Sequence, residues 1–578
     1  MRKLLLILLV LQGCSPATPK IGLHESESDL KVGIPSAVRT LAKHAADTFK
    51  LSLDSGMLVY GHADQRNFDA IVELYNPKME RVAGFDSYSR GLELFRLKTF
   101  MPGVHRLVVT PYQENSGEYA VVVTGAEPIA TTTDGAAQQF IRSVVGTDLK
   151  APGASVAVMK DGQIIFSKGY GYADLESDRP ITPTTIFHVA SVSKQFTAFA
   201  IAMLADQGKL SLDDDIRKYL PELHDFGYTI TINHLVHHTS GLRDQWNLLM
   251  MAGWRLDDVI TQKQIMRMVA RQRELNFKPG EEFLYCNTGF TLMAEIVQRV
   301  TGQTLAEWTA ANVFAPLEMK HTFFYDDHEK VVDNRAYSYY RNGNNNNIEY
   351  KKSVLSYATA GATSLFTTPE DLCAWAQNFE TMKVGNPKVM KMMQEPFILN
   401  KGDTTDYAMG IAVGKYRGLR TINHSGGDAG FRSFLVRFPD ENVNIAVASN
   451  YAAFGPAGMA YAEAEAVLGN KLEPDKPWSA PPPPAKKDSF DVKSVRLADY
   501  EGNYYSEELD TRYWFDVQND TLTSHHQRHD DAKLSVIAKD SFYMNNLGDV
   551  VFTRDKAGKV DGFKASNGRV RNLAFKRH

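Results

Sequence analysis

The stretch Ala190-Ser-Val-Ser-Lys-Gln-Phe-Thr-Ala-Phe-Ala-Ile-Ala-Met-Leu204 places a serine and a lysine at the opening of an apolar run. Phe196, Phe199, Ala200, Met203 and Leu204 recur at helical spacing, which predicts a helix starting near Ser191 with one buried face. Gly208 is suited to end it with a left-handed cap. One helical turn separates Ser191 from Lys194, so their Cβ atoms fall about 5–6 Å apart on the same face. A serine hydroxyl becomes a nucleophile when a base lies within hydrogen-bond reach. The unpaired N–H groups and dipole of a helix start favour negative charge developing beside it. The four-residue pattern is not specific, since Ser28-Asp-Leu-Lys31 matches it too. Taken alone, Ser191 reads equally as a capping serine beside a surface lysine.

Working outward, further segments surround this pair. Pro279-Gly-Glu-Glu-Phe-Leu-Tyr-Cys-Asn-Thr-Gly-Phe290 sets Tyr285 and Asn287 on a turn before a helix over 292–300. His424-Ser-Gly-Gly427 precedes an apolar strand over 433–438. Between them lie His234-Leu-Val-His-His-Thr-Ser-Gly-Leu242 and Thr359-Ala-Gly-Ala-Thr-Ser-Leu365, the latter before a helix at Pro369. Strand-like runs at 155–159, 163–166, 434–438 and 445–448 complete a mixed α/β segment of residues 140–470.

In this order the motifs resemble the serine β-lactamase and penicillin-binding-protein superfamily, in its class C-like branch of esterases and D-amino-acid peptidases. The resemblance implies an α/β (α+β) core with an antiparallel sheet and helices. It implies Ser191 as nucleophile, Lys194 as its base, Tyr285 as a second base and Asn287 as a substrate contact. His424 takes the place of the usual third-motif lysine, with Gly426 beside it, and the N–H groups of Ser191 and Gly427 form the oxyanion hole. Tyr285-Cys-Asn287 and His424-Ser-Gly426 depart from the S-D-N and K-T-G forms of the signature. A phenol near pKa 10 needs a neighbouring cation, for which Lys194 is the candidate, before it accepts a proton. Histidine at 424 is mostly neutral at pH 7, so carboxylate recognition there should be weak and strengthen below about pH 6.5. Ester, amide or peptide cleavage is therefore expected ahead of β-lactam or D,D-peptide cleavage, with a non-catalytic scaffold as the remaining alternative. Specificity should reside in the loops 246–254 and 335–352.

The rest of the chain sets the context. Its 578 residues are 43% hydrophobic and 23% charged, with a formal charge of -4. Three or four domains of ordinary size account for that length. No basic excess points to nucleic acid. The start reads as an export signal: Arg2 and Lys3, an apolar run over 4–11, then Gly13. Cys14 resembles the lipidated cysteine of a bacterial lipobox, although Gln12 stands where a small residue is usual. A membrane-anchored lipoprotein outside the cytoplasm is expected, acting on a small-molecule or peptide substrate of possible cell-wall origin. Residues 14–43 read as spacer, and 44–128 alternate with period two as in a β-sandwich. Residues 471–488, with Pro481 to Pro484, read as an extended linker. Residues 489–578 resemble the lipocalin-like small β-barrel that follows some serine hydrolase cores.

Three cysteines exclude a disulfide scaffold. Cys286 should point away from its functional neighbours, and Cys373 should pack in a core. His234, His237 and His238 lack an acidic or thiol partner for zinc, and Asp64, Asp69 and Asp86 lack calcium-loop spacing. His525, His526 and His529 read as exposed turn residues. No metal or other cofactor is expected.

Overall fold

The computed structural model describes residues 28–86, 91–112, 115–146, 150–342, 349–474, 490 and 492–578. The export signal, Cys14 and nearly all of the Pro-rich segment lie outside the described residues. The chain divides into two compact units, the first ending at Ile129 and the second beginning at Ala130.

The first unit contains two sheets. Strands β1 (Ser28–Asp29), β2 (Arg39–Leu41), β3 (Asp47–Leu53), β4 (Met57–Gln65), β5 (Ala70–Tyr75), β6 (Arg81–Phe85), β7 (Gly91–Lys98), β8 (Gly103–Pro111) and β9 (Gly117–Pro128) form them. One sheet runs β1-β3-β8-β5-β6 and the other β2-β9-β4-β7. Phe49, Val72, Leu74, Leu107 and Val109 of the first sheet share one core with Val59, Tyr119, Val121 and Val123 of the second. Period-two alternation places each of these on an inward face. Residues 28–41 depart from their reading as spacer. Leu30 and Leu41 join the core, β1 pairs with β3 and β2 pairs with β9. Strands of two or three residues are too short to show a period in sequence.

The second unit is built on a six-stranded antiparallel sheet. Its elements are α1 (Thr133–Val145), β10 (Ala154–Lys160), β11 (Gln163–Tyr170), α2 (Lys194–Asp206), α3 (Gln245–Met251), α4 (Asn287–Thr301), α5 (Pro369–Thr381), β12 (Ala412–Tyr416), β13 (Leu419–Asp428), β14 (Phe431–Phe438), β15 (Val443–Ser449) and α6 (Pro456–Leu468), with shorter pieces between. The strand order is β11-β10-β15-β14-β13-β12. Val156, Val158, Ile445 and Val447 pack with Phe140 of α1 and Met459 and Ala460 of α6. The alternate residues Ala157, Met159, Ala446 and Ala448 pack on the other face with Cys373 and Trp375 of α5. Burial on both faces explains why β10 and β15 read as continuous apolar runs. The expected one-sided helix after Ser191 is revised in two respects. Helix α2 begins at Lys194, preceded by a 3-10 turn over Ala190–Ser193, and it is buried on almost every side.

The C-terminal residues form a nearly closed nine-stranded barrel. Its strands are β16 (Gly502–Ser506), β17 (Thr511–Gln518), β18 (Thr521–His525), β19 (Ala532–Lys533), β20 (Ser535–Ala538), β21 (Ser541–Met544), β22 (Gly548–Arg554), β23 (Val560–Asn567) and β24 (Val570–Arg577). They run in the order β19-β18-β17-β16-β24-β23-β22-β21-β20. Inward-facing Tyr504, Phe515, Phe552, Phe563 and Phe575 fill it.

This barrel packs directly on the core built around the six-stranded sheet, sharing one apolar cluster with it. It also satisfies the end of α3, whose last carbonyls lack intrahelical donors. His529 Nε2 meets Met250 O at 2.9 Å, Tyr513 Oη donates to Met251 O at 3.0 Å, and Thr511 Oγ1 donates to Ala252 O at 3.3 Å. The buried Arg243 donates to Glu508 at 2.8 Å and to Arg571 O at 3.0 Å, across the same junction. The barrel histidines are accordingly not exposed turn residues. His525 and His526 are buried; His525 is held by Asp516 and Asp531, and His526 bonds Thr511 and stacks on Tyr513. A side chain at Gly253 would meet His526 at 2.0 Å, so this close approach requires glycine there.

Candidate active site

Ser191 sits in the 3-10 turn ahead of α2, at the end of an open strand edge. Strand β12 pairs with β13 only as far as Asn423, which leaves residues 424–428 without a strand partner on that side. The Ser191 turn lies against this free edge, and Ala190 adopts a left-handed φ of 47° within it. Side chains hold that strained geometry in place. Ser433 Oγ donates to Val189 O at 2.8 Å, and Ser193 Oγ donates to Ala190 O while accepting from Leu365 N at 3.0 Å. Gly426 is needed for the approach, because a Cβ there would lie 2.2 Å from Val189 O.

Lys194 is completely buried, and its Nζ lies 2.9 Å from Ser191 Oγ, 2.8 Å from Asn287 Oδ1 and 2.7 Å from Ala362 O. Burial outweighs the nearby acids Asp428 and Asp244 and pulls its pKa down to about 7. Protonated, Lys194 donates to all three partners; once it is neutral, the three contacts fix where its remaining protons point. Asn287 Nδ2 donates to the Asp244 carboxylate at 2.8 Å, which turns Oδ1 toward Lys194. Asn287 Oδ1 and Ala362 O can only accept, so they take the two N–H groups of a neutral amine. The lone pair is left facing the Ser191 hydroxyl. This is the arrangement a general base requires.

Tyr285 lies on the same cleft, with its ring tilted against His238 at a centroid distance of 4.2 Å and Lys194 Nζ 4.9 Å from its centroid. Its hydroxyl makes no full hydrogen bond. Burial raises its pKa, against smaller opposing effects from the Ser191 hydroxyl and the Arg569 charge. Two sequence expectations change here. Arg569, 4.8 Å from the ring centroid, stands beside the phenol in addition to Lys194, and the resting phenol stays protonated. It is suited to donate a proton to a leaving group and to accept one only when chemistry demands it. Replacing Tyr285 by phenylalanine should lower kcat about 10²-fold or more with a smaller change in KM. Steady-state kinetics on one amide substrate checks this, and an unchanged kcat would remove the phenol from proton transfer.

His424 is not a switchable cation. Its Nδ1 is 2.6 Å from Ser425 O and its Nε2 is 3.0 Å from the Tyr407 hydroxyl. The carbonyl accepts only, so Nδ1 carries the proton and Nε2 accepts from Tyr407. Burial, reinforced by the Lys194 charge, lowers its pKa to about 3. The expected gain in carboxylate recognition below pH 6.5 therefore has no titrating group behind it. Gly427 lies one residue along the free edge from Gly426, and its N–H and that of Ser191 belong to the two backbone segments that meet at the Ser191 side chain.

Cys286 turns away from the cleft and donates to Leu242 O at 3.3 Å, while Cys373 is buried in the sheet–helix core. His234 accepts from Thr231 N, His237 contacts Asn233 O and Glu395 O, and His238 Nδ1 accepts from Cys286 N. Each is a structural histidine; among the described residues no group of acids, histidines and cysteines is placed to hold a metal. Residues 246–254, expected as a loop, are mostly helix α3; its Trp246 lines the cleft and stacks on Tyr357 at 4.7 Å.

Sequence reasoning missed four neighbours. Asp244 is fully buried and accepts from both Asn287 N at 2.6 Å and Asn287 Nδ2, fixing that side chain. Tyr407 holds His424. Asp428 reaches the cleft wall, held by Thr363 Oγ1 and by His188 Nε2 at 3.1 Å. Arg569 arrives from the barrel. Asp428 directly follows the His-Ser-Gly-Gly motif and was the one visible in sequence; the others carry no local signal. Asp428 and Arg569 line a cleft of about 460 Å3 with Ser191, Tyr285 and Asn287 in its wall, while Asp244 and Tyr407 lie behind that wall.

A family model described as Beta-lactamase matches residues 137–468, more than half of the chain. The chain belongs to the beta-lactamase family. A D-aminopeptidase of Gluconobacter oxydans (strain 621H) is 27% identical over 332 residues, spanning 57% of this chain and 61% of that protein. Penicillin-binding protein 4* of Bacillus subtilis (strain 168) is 26% identical over 361 residues, spanning 61% of this chain and 78% of the relative. The chain thus spans less than two thirds of the length of the D-aminopeptidase. The octameric penicillin-binding protein homologue from Pyrococcus abyssi aligns with 77% of this chain and 100% of its own, at a TM-score of 0.52 and 22% identity. That likeness supports the beta-lactamase fold of the core.

Proposed function

We propose that this protein is a serine hydrolase that cleaves an amide or peptide bond of a small substrate through an acyl-enzyme on Ser191. The observation that carries the reading is the buried Lys194 Nζ, 2.9 Å from the Ser191 hydroxyl, whose other two partners are acceptors that in the neutral amine leave the lone pair for Ser191. Attack of Oγ on the carbonyl passes its proton to Nζ and creates an oxyanion, which the N–H groups of Ser191 and Gly427 receive. Two such donors supply several kcal/mol of barrier reduction. Collapse expels the amine, which takes the proton held by Lys194, either directly or through the Tyr285 hydroxyl, which Lys194 reprotonates; Lys194 is then neutral again. Water then attacks the ester, with Lys194 again as base, and frees Ser191.

Asp428 supports an amine-bearing substrate. Its carboxylate reaches the cleft within the same wall as Ser191, where it suits a substrate ammonium group. The D-aminopeptidase relative agrees with this choice. The leader-like start and Cys14 support a reading of export and lipid attachment, with the enzyme at a membrane facing the periplasm or cell exterior.

Parallel labelling with a fluorophosphonate and a fluorescent penicillin, together with turnover of D- and L-alanine p-nitroanilide, tests the reading. Fluorophosphonate labelling and anilide turnover are expected, faster for one enantiomer. Penicillin labelling without anilide turnover would move the assignment to β-lactam or D,D-peptide chemistry, and neither label nor turnover would favour a scaffold.

A further inference from the structure

The hairpin between β23 and β24 of the barrel, Asn567-Gly-Arg569-Val570, ends in the active-site cleft. Its backbone is pinned to the catalytic core. Asn247 Nδ2 donates to Asn567 O at 3.1 Å, Asn276 Nδ2 donates to Arg569 O at 2.9 Å, and Arg571 N donates to Asn276 Oδ1 at 2.8 Å. A hairpin held this way presents one side chain at a defined place.

That side chain is Arg569, and its guanidinium is not consumed by the fold. Arg243 and Arg571, its neighbours at the junction, are committed to Glu508 and Glu282. Arg569 pairs among the described residues only with Asp244, at 3.9 Å, and Asp244 already accepts from Asn287 and Trp246. The Arg569 side chain is 41% exposed and lies 4.8 Å from the Tyr285 ring centroid, lining the same cleft as Ser191. It is the permanent cation of that wall. The residue standing where the family signature has lysine, His424, is neutral and spends both ring nitrogens on Ser425 and Tyr407.

We infer that Arg569 is the carboxylate-binding residue of this enzyme, supplied by the barrel to a core whose own third motif has no cation. The inference rests on the amide-hydrolase reading above and sharpens its substrate class. The leaving group carries a carboxylate, as in a short peptide with a free C-terminus, and Asp428 faces the same cleft for an ammonium group. A guanidinium forms paired N–H···O bonds with a carboxylate and loses them with a neutral amide of equal shape.

The test compares alanyl-alanine dipeptides, in all four stereoisomers, with their C-terminal carboxamides, alongside p-nitrophenyl acetate as a report on Ser191 itself. The reading is the ratio of kcat/KM, carboxylate over carboxamide, which cancels losses common to both. Wild type should favour the carboxylate by roughly 10- to 100-fold, Arg569→Gln should bring the ratio near one, and Arg569→Lys should retain part of it. A wild-type ratio near one, or a ratio kept in Arg569→Gln while both rates fall together, would overturn the assignment and leave Arg569 as a positioning residue for Tyr285. Ester turnover with neither dipeptide nor carboxamide cleaved would instead overturn the amide-hydrolase reading, and the Arg569 assignment with it.

Discussion

Replacement of Ser191 by alanine is expected to abolish covalent labelling and to lower kcat/KM by at least about 10³-fold. The residual rate then reflects binding and the oxyanion donors alone. Folding should survive, because Ser191 lies on a partly open turn that Ser193 and Ser433 hold in place independently. Lys194 loses one of its three partners and keeps Asn287 and Ala362. Circular dichroism melting beside the kinetics separates loss of chemistry from loss of fold. An alanine variant that still turns over at a tenth of the wild-type rate would place the nucleophile elsewhere.

Lys194→Met should have an effect of similar size, about 10³-fold or more on kcat, for a different reason. Methionine fills the volume but cannot take the serine proton, and it leaves Asn287 Oδ1 and Ala362 O without a donor. Each orphaned acceptor costs about 1–3 kcal/mol, offset by removal of a buried amine. The diagnostic is the pH profile. With a pKa near 7 in the folded protein, Lys194 is protonated and inactive below that value and free above it. Wild-type kcat/KM should therefore rise through about pH 7 and level off, and the methionine variant should lose that inflection. The same depression has a stability consequence. Between about pH 7 and 10.5 the unfolded chain holds a proton on Lys194 that the folded chain has lost, so stability attributable to this group rises with pH there. A wild-type profile flat from pH 5 to 9 would contradict the neutral-amine mechanism.

The parts legible in sequence were those with a local pattern. Strands such as β10 and β15 appear as short apolar runs, and the serine–lysine pair appears as one helical turn. Tyr285 was visible on a turn before a helix, but Asn287 itself opens α4, five residues ahead of the apolar run that marks the helix in sequence, and the protonation of the phenol was not visible. Desolvation decides the states of Lys194, Tyr285 and His424, and burial is a property of the assembled fold. The error over His424 has this origin: its ordinary pKa suggested a pH switch, whereas Tyr407 and Ser425 commit its ring nitrogens. The barrel posed a harder problem. Asn567-Gly568-Arg569 reads as an ordinary hairpin turn, and only docking through Arg243, Asn247 and Asn276 brings Arg569 beside Tyr285. The buried His525 and His526 were misjudged as exposed for the same reason.

The central claim is an acyl-enzyme on Ser191 formed with Lys194 as base, and acid quench of a turning-over reaction tests it most directly. Intact mass followed by peptide mapping should show one acyl group per chain, on the peptide containing Ser191, accumulating faster at pH 8 than at pH 6. An adduct on any other residue, or turnover with no adduct under conditions that trap esters, would contradict it.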